Sequence, residues 1–225
     1  LGWTRDKYWQ VREDLLETGQ IERGRGQGGS VRRVAMIGQL PATKRARNLP
    51  EADLYDSLLR VLEKDWIREM RIEPDHIYFE ITARQGKKPT GGTWTRPDIS
   101  AVSVRSFQHL PGKFTDVWTF EVKSVDSLDV TAVFEAASHA SRATRSYALL
   151  QIPEDIDLVD DEIVDRCARE AARLRVGLIT FSSSMEFKTW ETRVEAPRLE
   201  TAPEALDGFI SHLSDRAKSR IAKWK

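Results

Sequence analysis

The stretch that decides the fold is "RPDISAVSVRSFQHLPGKFTDVWTFEVKS", residues 96–124. Its composition predicts two apolar β-strands, PDISAVSVRS and VWTFEVKS, joined by a loop over residues 106–114. The first strand opens on Asp98 and the second ends on Glu121 and Lys123. Buried charged side chains are tolerated only when they are paired or bound to a metal. These three residues therefore either point to solvent or converge on a site.

Antiparallel pairing of the two strands would bring these charged residues together. Side chains alternate across a strand, so Glu121 and Lys123 share one face and Val122 points to the other. The open end of the hairpin then places Asp98 beside them. Two neighbouring carboxylates suit Mg²⁺, with Mn²⁺ as a substitute, and Lys123 can orient or help deprotonate a water and offset phosphate charge. This combination favours attack of metal-activated water on a phosphodiester.

The surrounding segments predict an α/β fold with a mixed central sheet flanked by helices. An amphipathic helix begins at Pro50 and carries Leu54, Leu58, Val61, Leu62 and Trp66 on one stripe. The predicted strands are residues 76–84, the two strands of the hairpin, 146–152, 176–182 and 187–196, and the later helices are 127–145, 161–175 and 203–224. The helix and strand order gives an α-β-β-β-α-β core.

Pro97-Asp98 followed by Glu121-Val122-Lys123 resembles the PD-(D/E)XK nuclease superfamily, which includes many restriction endonucleases. The resemblance covers residues 50–182. It implies a restriction endonuclease-like fold, divalent-metal dependence, and hydrolysis of DNA to 5′-phosphate and 3′-hydroxyl ends. It also implies catalytic roles for Asp98, Glu121, Lys123 and Glu51, with Asp98, Glu121 and Glu51 as metal ligands. Asp53 is the alternative to Glu51, and a role in restriction or anti-phage defence follows by analogy.

The helix after Lys123 also resembles a part of that family. The segment "TAVFEAASHASRA" matches the second core helix of the superfamily. Glu135, His139 and Arg142 fall at i, i+4 and i+7, and are therefore expected on one helical face. In the family that face can look onto the site, so these three side chains are candidate neighbours of Glu121 and Lys123.

The amino-terminal part predicts a separate, basic DNA-binding segment. Residues 1–50 hold ten Lys and Arg against five Asp and Glu, whereas residues 51–225 hold twenty-five against thirty. A helix over residues 5–18 is followed by "QIERGRGQGGSVRRVAMI", which predicts a hairpin with a glycine-rich turn. The expected organisation is a segment 1–37, a linker 38–49 and a nuclease-like domain 50–225.

This helix and hairpin resemble the recognition helix and wing of a winged-helix domain. The first helix of such a domain, and most of the second, would lie before Leu1, so the winged helix is expected to be incomplete in this sequence. The resemblance implies DNA contacts by the wing arginines and by exposed helix residues in the major groove. These residues are Arg23, Arg25, Arg32 and Arg33 in the wing, and Lys7, Gln10 and Arg12 in the helix. Lys87 and Lys88 are further candidates for phosphate contact, and Trp94 could stack on a base.

Three alternatives remain open from the residues alone. The second domain could be a non-catalytic DNA-binding or regulatory protein on a nuclease-like scaffold, or a nuclease directed at RNA. The basic hairpin could serve protein interaction instead of DNA binding, and a homodimer or a partner protein is possible.

No apolar run is long enough to span a membrane, and the single Cys167 favours a cytoplasmic location and a core position.

Overall fold

The computed structural model describes residues 50–85, 96–152 and 161–224, together with Lys7, Arg12, Leu16 and the segments 21–23 and 31–33. The chain divides into two compact units, Leu1–Arg45 and Ala46–Lys225, with the boundary inside the segment predicted as a linker. Within the described residues no helix is long and apolar enough to cross a bilayer.

The first unit contains the predicted hairpin. Strands β1 (Ile21–Arg23) and β2 (Val31–Arg33) pair antiparallel, with Glu22 opposite Arg32. Lys7, Arg12 and Leu16 are helical, in agreement with the helix expected over residues 5–18. Arg12 is buried, however, and so does not occupy the exposed position that the amphipathic pattern suggested; an arginine can bury its aliphatic stem along apolar surface.

The second unit is an α/β fold with one six-stranded mixed sheet flanked by helices, as the sequence predicts. The strands are β3 (Ile77–Ile81), β4 (Ile99–Ser106), β5 (Lys113–Lys123), β6 (Arg145–Gln151), β7 (Gly177–Phe181) and β8 (Trp190–Val194). They lie in sequence order. The β5–β6 and β6–β7 pairs are parallel, and the remaining neighbours are antiparallel.

Helices cover both faces of this sheet. They are α1 (Glu51–Val61), which continues through a π-helical stretch Leu62–Trp66 into α2 (Ile67–Glu69), then α3 (Thr131–His139), α4 (Asp161–Leu174), α5 (Pro203–Ser211) and α6 (Asp215–Ile221). The α1 face packs on one apolar cluster with Phe120 and Val122, and α3 and α4 pack on another with Ala148 and Leu150. Cys167 of α4 is buried, as expected.

Trp66 forms the centre of the α1 side of the core. The predicted stripe is buried along its whole length, from Leu54 to Trp66. The Trp66 ring meets the rings of Trp118 and Phe120 edge-on, at centroid distances of 5.1 and 5.4 Å. Tyr147 stacks on Phe120 at 5.8 Å. Such contacts add to the burial of apolar area and fix helix α1 against the middle of the sheet.

The strand directions place the charged residues at one edge of the sheet. In the antiparallel β4–β5 pair Ile99 lies opposite Phe120, so Asp98 comes next to Glu121 at the end of β5. The parallel strand β6 runs alongside β5 with Lys123 beside Leu150, and therefore ends at the same edge. Because Val122 is in the α1-side cluster, period-two alternation turns Glu121 and Lys123 towards the α3 side.

The carboxyl-terminal region differs from the prediction of one long helix over residues 203–224. The structure has two helices, α5 and α6, separated by residues 212–214. Ser214 caps the second helix, because its side-chain oxygen accepts a hydrogen bond from the backbone N–H of Ala217 at 3.2 Å. The break lets Leu213 and Ala217 both enter a small cluster against Val102 and Val117.

Gly177 is expected to be intolerant of a side chain. It lies opposite Tyr147 in the β6–β7 pair, and a Cβ atom at this position would lie 2.2 Å from Cδ1 of the Tyr147 ring. Gly177→Ala should therefore lower the free energy of unfolding by about 1–3 kcal/mol, the usual cost of overpacking. Urea unfolding measures this change.

Gly208→Ala is the matched control for that variant. Gly208 lies within α5, and nothing comes within 4 Å of an added Cβ. Alanine is a better helix former than glycine, so stability should stay the same or rise by up to about 1 kcal/mol. Equal stability of Gly177→Ala and Gly208→Ala would show that the Tyr147 ring does not pack closely against Gly177 of β7.

Candidate active site at the edge of the sheet

Asp98 is held at the start of β4 by two hydrogen bonds. Its Oδ2 accepts from the backbone N–H of Val122 at 2.8 Å, which ties the β4 start to the end of β5. Its Oδ1 accepts from the hydroxyl of Tyr55 at 2.6 Å, which ties it to α1. The carboxylate is therefore fixed in orientation beside Glu121.

The ammonium group of Lys123 lies among three carboxylates. Its Nζ is 2.7 Å from Oε2 of Glu135, 3.1 Å from Oε1 of Glu121 and 3.9 Å from Oε2 of Glu51. Glu121 and Lys123 share a face of β5, as the alternation predicts. The structure thus brings together the four residues that the sequence singled out, Asp98, Glu121, Lys123 and Glu51.

Helix α1 supplies Glu51 from its first turn. The hydroxyl of Ser127 donates a hydrogen bond to Oε1 of Glu51, and Ser127 follows shortly after β5 in the chain. Asp53, the alternative to Glu51, lies on the same turn but is exposed to solvent. Of the two acidic candidates on α1, Glu51 is therefore the one that contacts Lys123 at the site.

Helix α3 contributes two of its three expected residues. Glu135 contacts Lys123, and Nε2 of His139 lies 3.4 Å from Oε2 of Glu121. Arg142 does not share their face, because α3 ends at His139 and the chain turns towards β6. Arg142 is exposed, and its backbone N–H closes the turn on the carbonyl of His139 at 3.0 Å.

Burial and mutual repulsion raise the pKa values of two carboxyl groups at the site, those of Glu121 and Asp98. Burial, followed by the charge of Asp98, raises the pKa of Glu121 to about 9. Burial also raises the pKa of Asp98, against the lowering effect of the Tyr55 and Val122 hydrogen bonds. Two buried carboxyls side by side disfavour double ionisation. The pair is therefore suited to a bound cation, which would remove this penalty.

The same surroundings shift the pKa values of the two basic groups of the site, Lys123 and His139. Burial lowers the pKa of Lys123, but its contacts with Glu135 and Glu121 outweigh this and leave the pKa raised. Lys123 is therefore a cation at neutral pH. Burial lowers the pKa of His139 to about 4, so its imidazole is neutral there. His139 can therefore hold Glu121 by a hydrogen bond without adding a charge.

The donor set fits a hard divalent cation, although its members do not form a closed cage. In the described ranges, no three or more His, Cys, Asp or Glu side chains are gathered as a metal-binding group. The carboxylates of Glu51, Glu121 and Glu135 contact the Lys123 ammonium instead. Oxygen ligands from one or two carboxylates, with water completing the shell, are what Mg²⁺ prefers in proteins.

Several predicted DNA contacts lie outside the described residues. These are Gln10, Arg25, Lys87, Lys88 and Trp94. Arg23, Arg32 and Arg33 lie in β1 and β2, the two strands of the predicted wing. Their roles as DNA contacts stay predictions.

The sequence patterns did not predict two residues that neighbour the site, Tyr55 and Ser127. Tyr55 stands four residues after Glu51 on α1, and this i, i+4 spacing could have placed both at the same end of the helix. Ser127 lies in a short 3₁₀ turn after β5, and nothing in its sequence context distinguishes it from a loop serine. Its role depends on how α1 docks on the sheet.

The raised pKa of Glu121 predicts how the stability of the folded protein changes with pH when divalent ions are absent. Because the folded protein holds this proton more tightly than the unfolded chain, the stability from Glu121 is fully present below its ordinary pKa of 4.5 and is lost as pH rises towards about 9. Glu121→Gln cannot ionise. In EDTA, this variant should lose less stability than the parent between about pH 5 and pH 9. The difference should reach a few kcal/mol, because each tenfold change in proton affinity is worth about 1.4 kcal/mol.

Urea unfolding at each pH measures this difference. Glu191→Gln, at an exposed position of β8, is the matched control and should follow the parent. Parallel pH profiles for Glu121→Gln and the parent would show that Glu121 is ionised in the folded state like an exposed carboxyl.

Comparison with known proteins does not place this chain in a family. No family model matches it, and neither a curated protein nor a solved structure matches it significantly.

Proposed function

We propose that the second unit is a metal-dependent DNA nuclease with a restriction endonuclease-like, PD-(D/E)XK-type core. The observation that carries this proposal is the meeting of Asp98, Glu121 and Lys123 at one sheet edge, from a pattern scattered over 26 residues of sequence. Three ionisable groups from adjacent strands, with pKa values shifted by burial and by one another, are typical of catalytic sites.

Asp98 and Glu121 would hold Mg²⁺ or Mn²⁺, with Glu51 as a closer or water-mediated ligand. Such an ion supplies charge neutralisation on the phosphate and makes a water molecule more acidic. The side chains around them have positioning roles: Tyr55 orients Asp98 through its 2.6 Å hydrogen bond, and neutral His139 contacts Glu121. This arrangement keeps the carboxylates in place before the ion arrives.

Lys123 would act on the substrate itself. Its ammonium is charged at neutral pH and its side chain is only 15% exposed, so it interacts with nearby charge more strongly than a solvated lysine. Beside a phosphodiester it would stabilise the charge that grows on the phosphate in the transition state and help to orient the attacking water. A purely structural lysine would have no such effect on rate.

The amino-terminal unit would supply DNA affinity through its basic hairpin. If the wing arginines and the Lys87–Lys88 loop neutralise about five phosphates, log affinity should fall with log salt with a slope of roughly −4.5. Replacing Arg23, Arg25, Arg32 and Arg33 by alanine should flatten this slope and weaken binding to all sequences alike. Fluorescence anisotropy over a salt series measures it, and an unchanged slope would assign this hairpin to protein contact instead.

The nature of the substrate is tested by a panel of nucleic acids. The protein is incubated with plasmid DNA, single-stranded DNA and single-stranded RNA, each with Mg²⁺, Mn²⁺ or EDTA. Metal-dependent cleavage of DNA is the expected result. Cleavage of RNA alone would redirect the proposal to an RNA nuclease, and binding of DNA with no cleavage would favour a non-catalytic scaffold.

A further inference from the structure

Lys123 contacts more carboxyl groups than the nuclease proposal alone requires. A lysine that acts only on substrate needs one partner to orient it, yet this ammonium contacts Glu135, Glu121 and Glu51, which come from three different elements. These contacts join β5, α1 and α3. The ammonium thus takes the coordinating position that a cation would take between the carboxylates.

The contacts of Lys123 are shielded from water. The side chains of Lys123, Glu121 and Glu135 are only 15, 10 and 16% exposed. Charges buried to this extent interact at a lower effective dielectric than surface pairs do, so any carboxyl group that is ionised here depends on the ammonium for compensation. Together with Glu51 and Asp98 they form a site with four carboxyl groups and one ammonium, so full ionisation of these carboxyl groups requires further positive charge.

We propose that Lys123 is a built-in counter-ion that holds the site together without metal and gives way when a divalent cation binds. This inference rests on the proposed metal-dependent function. On binding of the ion, Lys123 releases Glu121 and Glu51 and keeps Glu135, its shortest contact at 2.7 Å. The exchange accounts for the lack of a ready-made metal group among the described residues, because the carboxylates are turned towards the lysine.

Removal of the Lys123 charge should therefore tighten binding of the ion. In Lys123→Gln the divalent cation no longer competes with an ammonium a few ångströms away. Affinity for Mn²⁺ is expected to rise about tenfold or more, because repulsion between the ion and a unit positive charge a few ångströms away would be removed. In the absence of divalent ions the same variant should have a lower Tm than the parent, since Glu51, Glu121 and Glu135 lose their shared partner.

Two matched variants separate charge from size and position. Lys123→Arg keeps the positive charge and should bind Mn²⁺ about as weakly as the parent. Lys218→Gln removes another ion-paired lysine, bound to Asp215 on α6, and should leave both the affinity and the ion-free Tm unchanged. Mn²⁺ affinity is measured by electron paramagnetic resonance of the free ion, and Tm by circular dichroism in EDTA.

A second measurement uses the unaltered protein and does not depend on the folding of a variant. With ¹³C-labelled lysine, the Cε resonance of Lys123 should shift on addition of Ca²⁺, while that of Lys218 stays in place. A parent that binds Mn²⁺ with an unmoved Lys123 resonance, or a Lys123→Gln variant that binds it no more tightly, would overturn the exchange but leave the nuclease proposal standing. A parent that binds no divalent ion at all would overturn both.

Discussion

Asp98→Ala and Glu121→Ala are each expected to abolish DNA cleavage while leaving the protein folded. Both carboxylates would hold the ion on which the reaction depends. A catalytic metal contributes several kcal/mol to the transition state, and each 1.4 kcal/mol is about a tenfold change in rate, so cleavage should fall by about 10³-fold or more. Single-turnover cleavage of a labelled duplex measures this loss.

Matched controls identify the cause of such a loss. Tyr55→Phe removes only the hydroxyl that donates to Asp98 and keeps the Val122 hydrogen bond, so it should slow cleavage less than Asp98→Ala does. Asp53→Ala removes an exposed carboxylate from the same first turn of α1 that carries Glu51, and should cleave like the parent. Circular dichroism confirms that each variant is folded. A fully active Asp98→Ala or Glu121→Ala would show that the site is wrong, whereas a fully active Glu51→Ala would remove only the third ligand.

Lys123→Ala is expected to cleave at least about a hundredfold more slowly while binding DNA nearly as well as the parent. Groups that stabilise developing charge typically cost about 10²–10³ in rate when they are removed. An interaction made only in the transition state lowers the rate of the chemical step and leaves substrate binding alone. Single-turnover rates at saturating Mg²⁺, beside anisotropy binding curves, separate these two effects.

Lys123→Arg should not restore full activity. The guanidinium keeps the charge, but it is planar and gives up its proton far less readily than an ammonium does. Glu135→Gln, which alters the nearest partner of Lys123, should reduce the rate less than Lys123→Ala does. If Lys123→Ala instead weakened DNA binding and left the rate constant of bound DNA unchanged, Lys123 would be a binding residue only.

The site could be predicted from the sequence where a simple periodicity governed it. Glu121 and Lys123 share a face because β-strands alternate, and Asp98 meets them because an antiparallel hairpin brings its two open ends together. Glu135 and His139 meet Lys123 and Glu121 because they lie one helical turn apart. Each of these relations depends on local geometry that any regular strand or helix would supply.

The sequence was less informative wherever an element ended or docked. Arg142 was expected on the face of Glu135 and His139, but α3 stops first because the chain must turn into β6. The carboxyl-terminal helix was expected to be continuous, but Ser214 caps a new one and lets Leu213 be buried. The contact of Ser127 with Glu51 depends on the docking of α1, which no local pattern encodes.

The most direct test of the central claim is cleavage of supercoiled plasmid by the parent protein, with Mg²⁺ and with EDTA, beside Glu121→Ala purified in the same way. We expect nicked or linear DNA only from the parent and only with the divalent ion. The inactive variant excludes a contaminating nuclease as the source of the activity. A parent protein that leaves every DNA substrate intact with both Mg²⁺ and Mn²⁺, or a Glu121→Ala variant that cleaves equally well, would contradict the account.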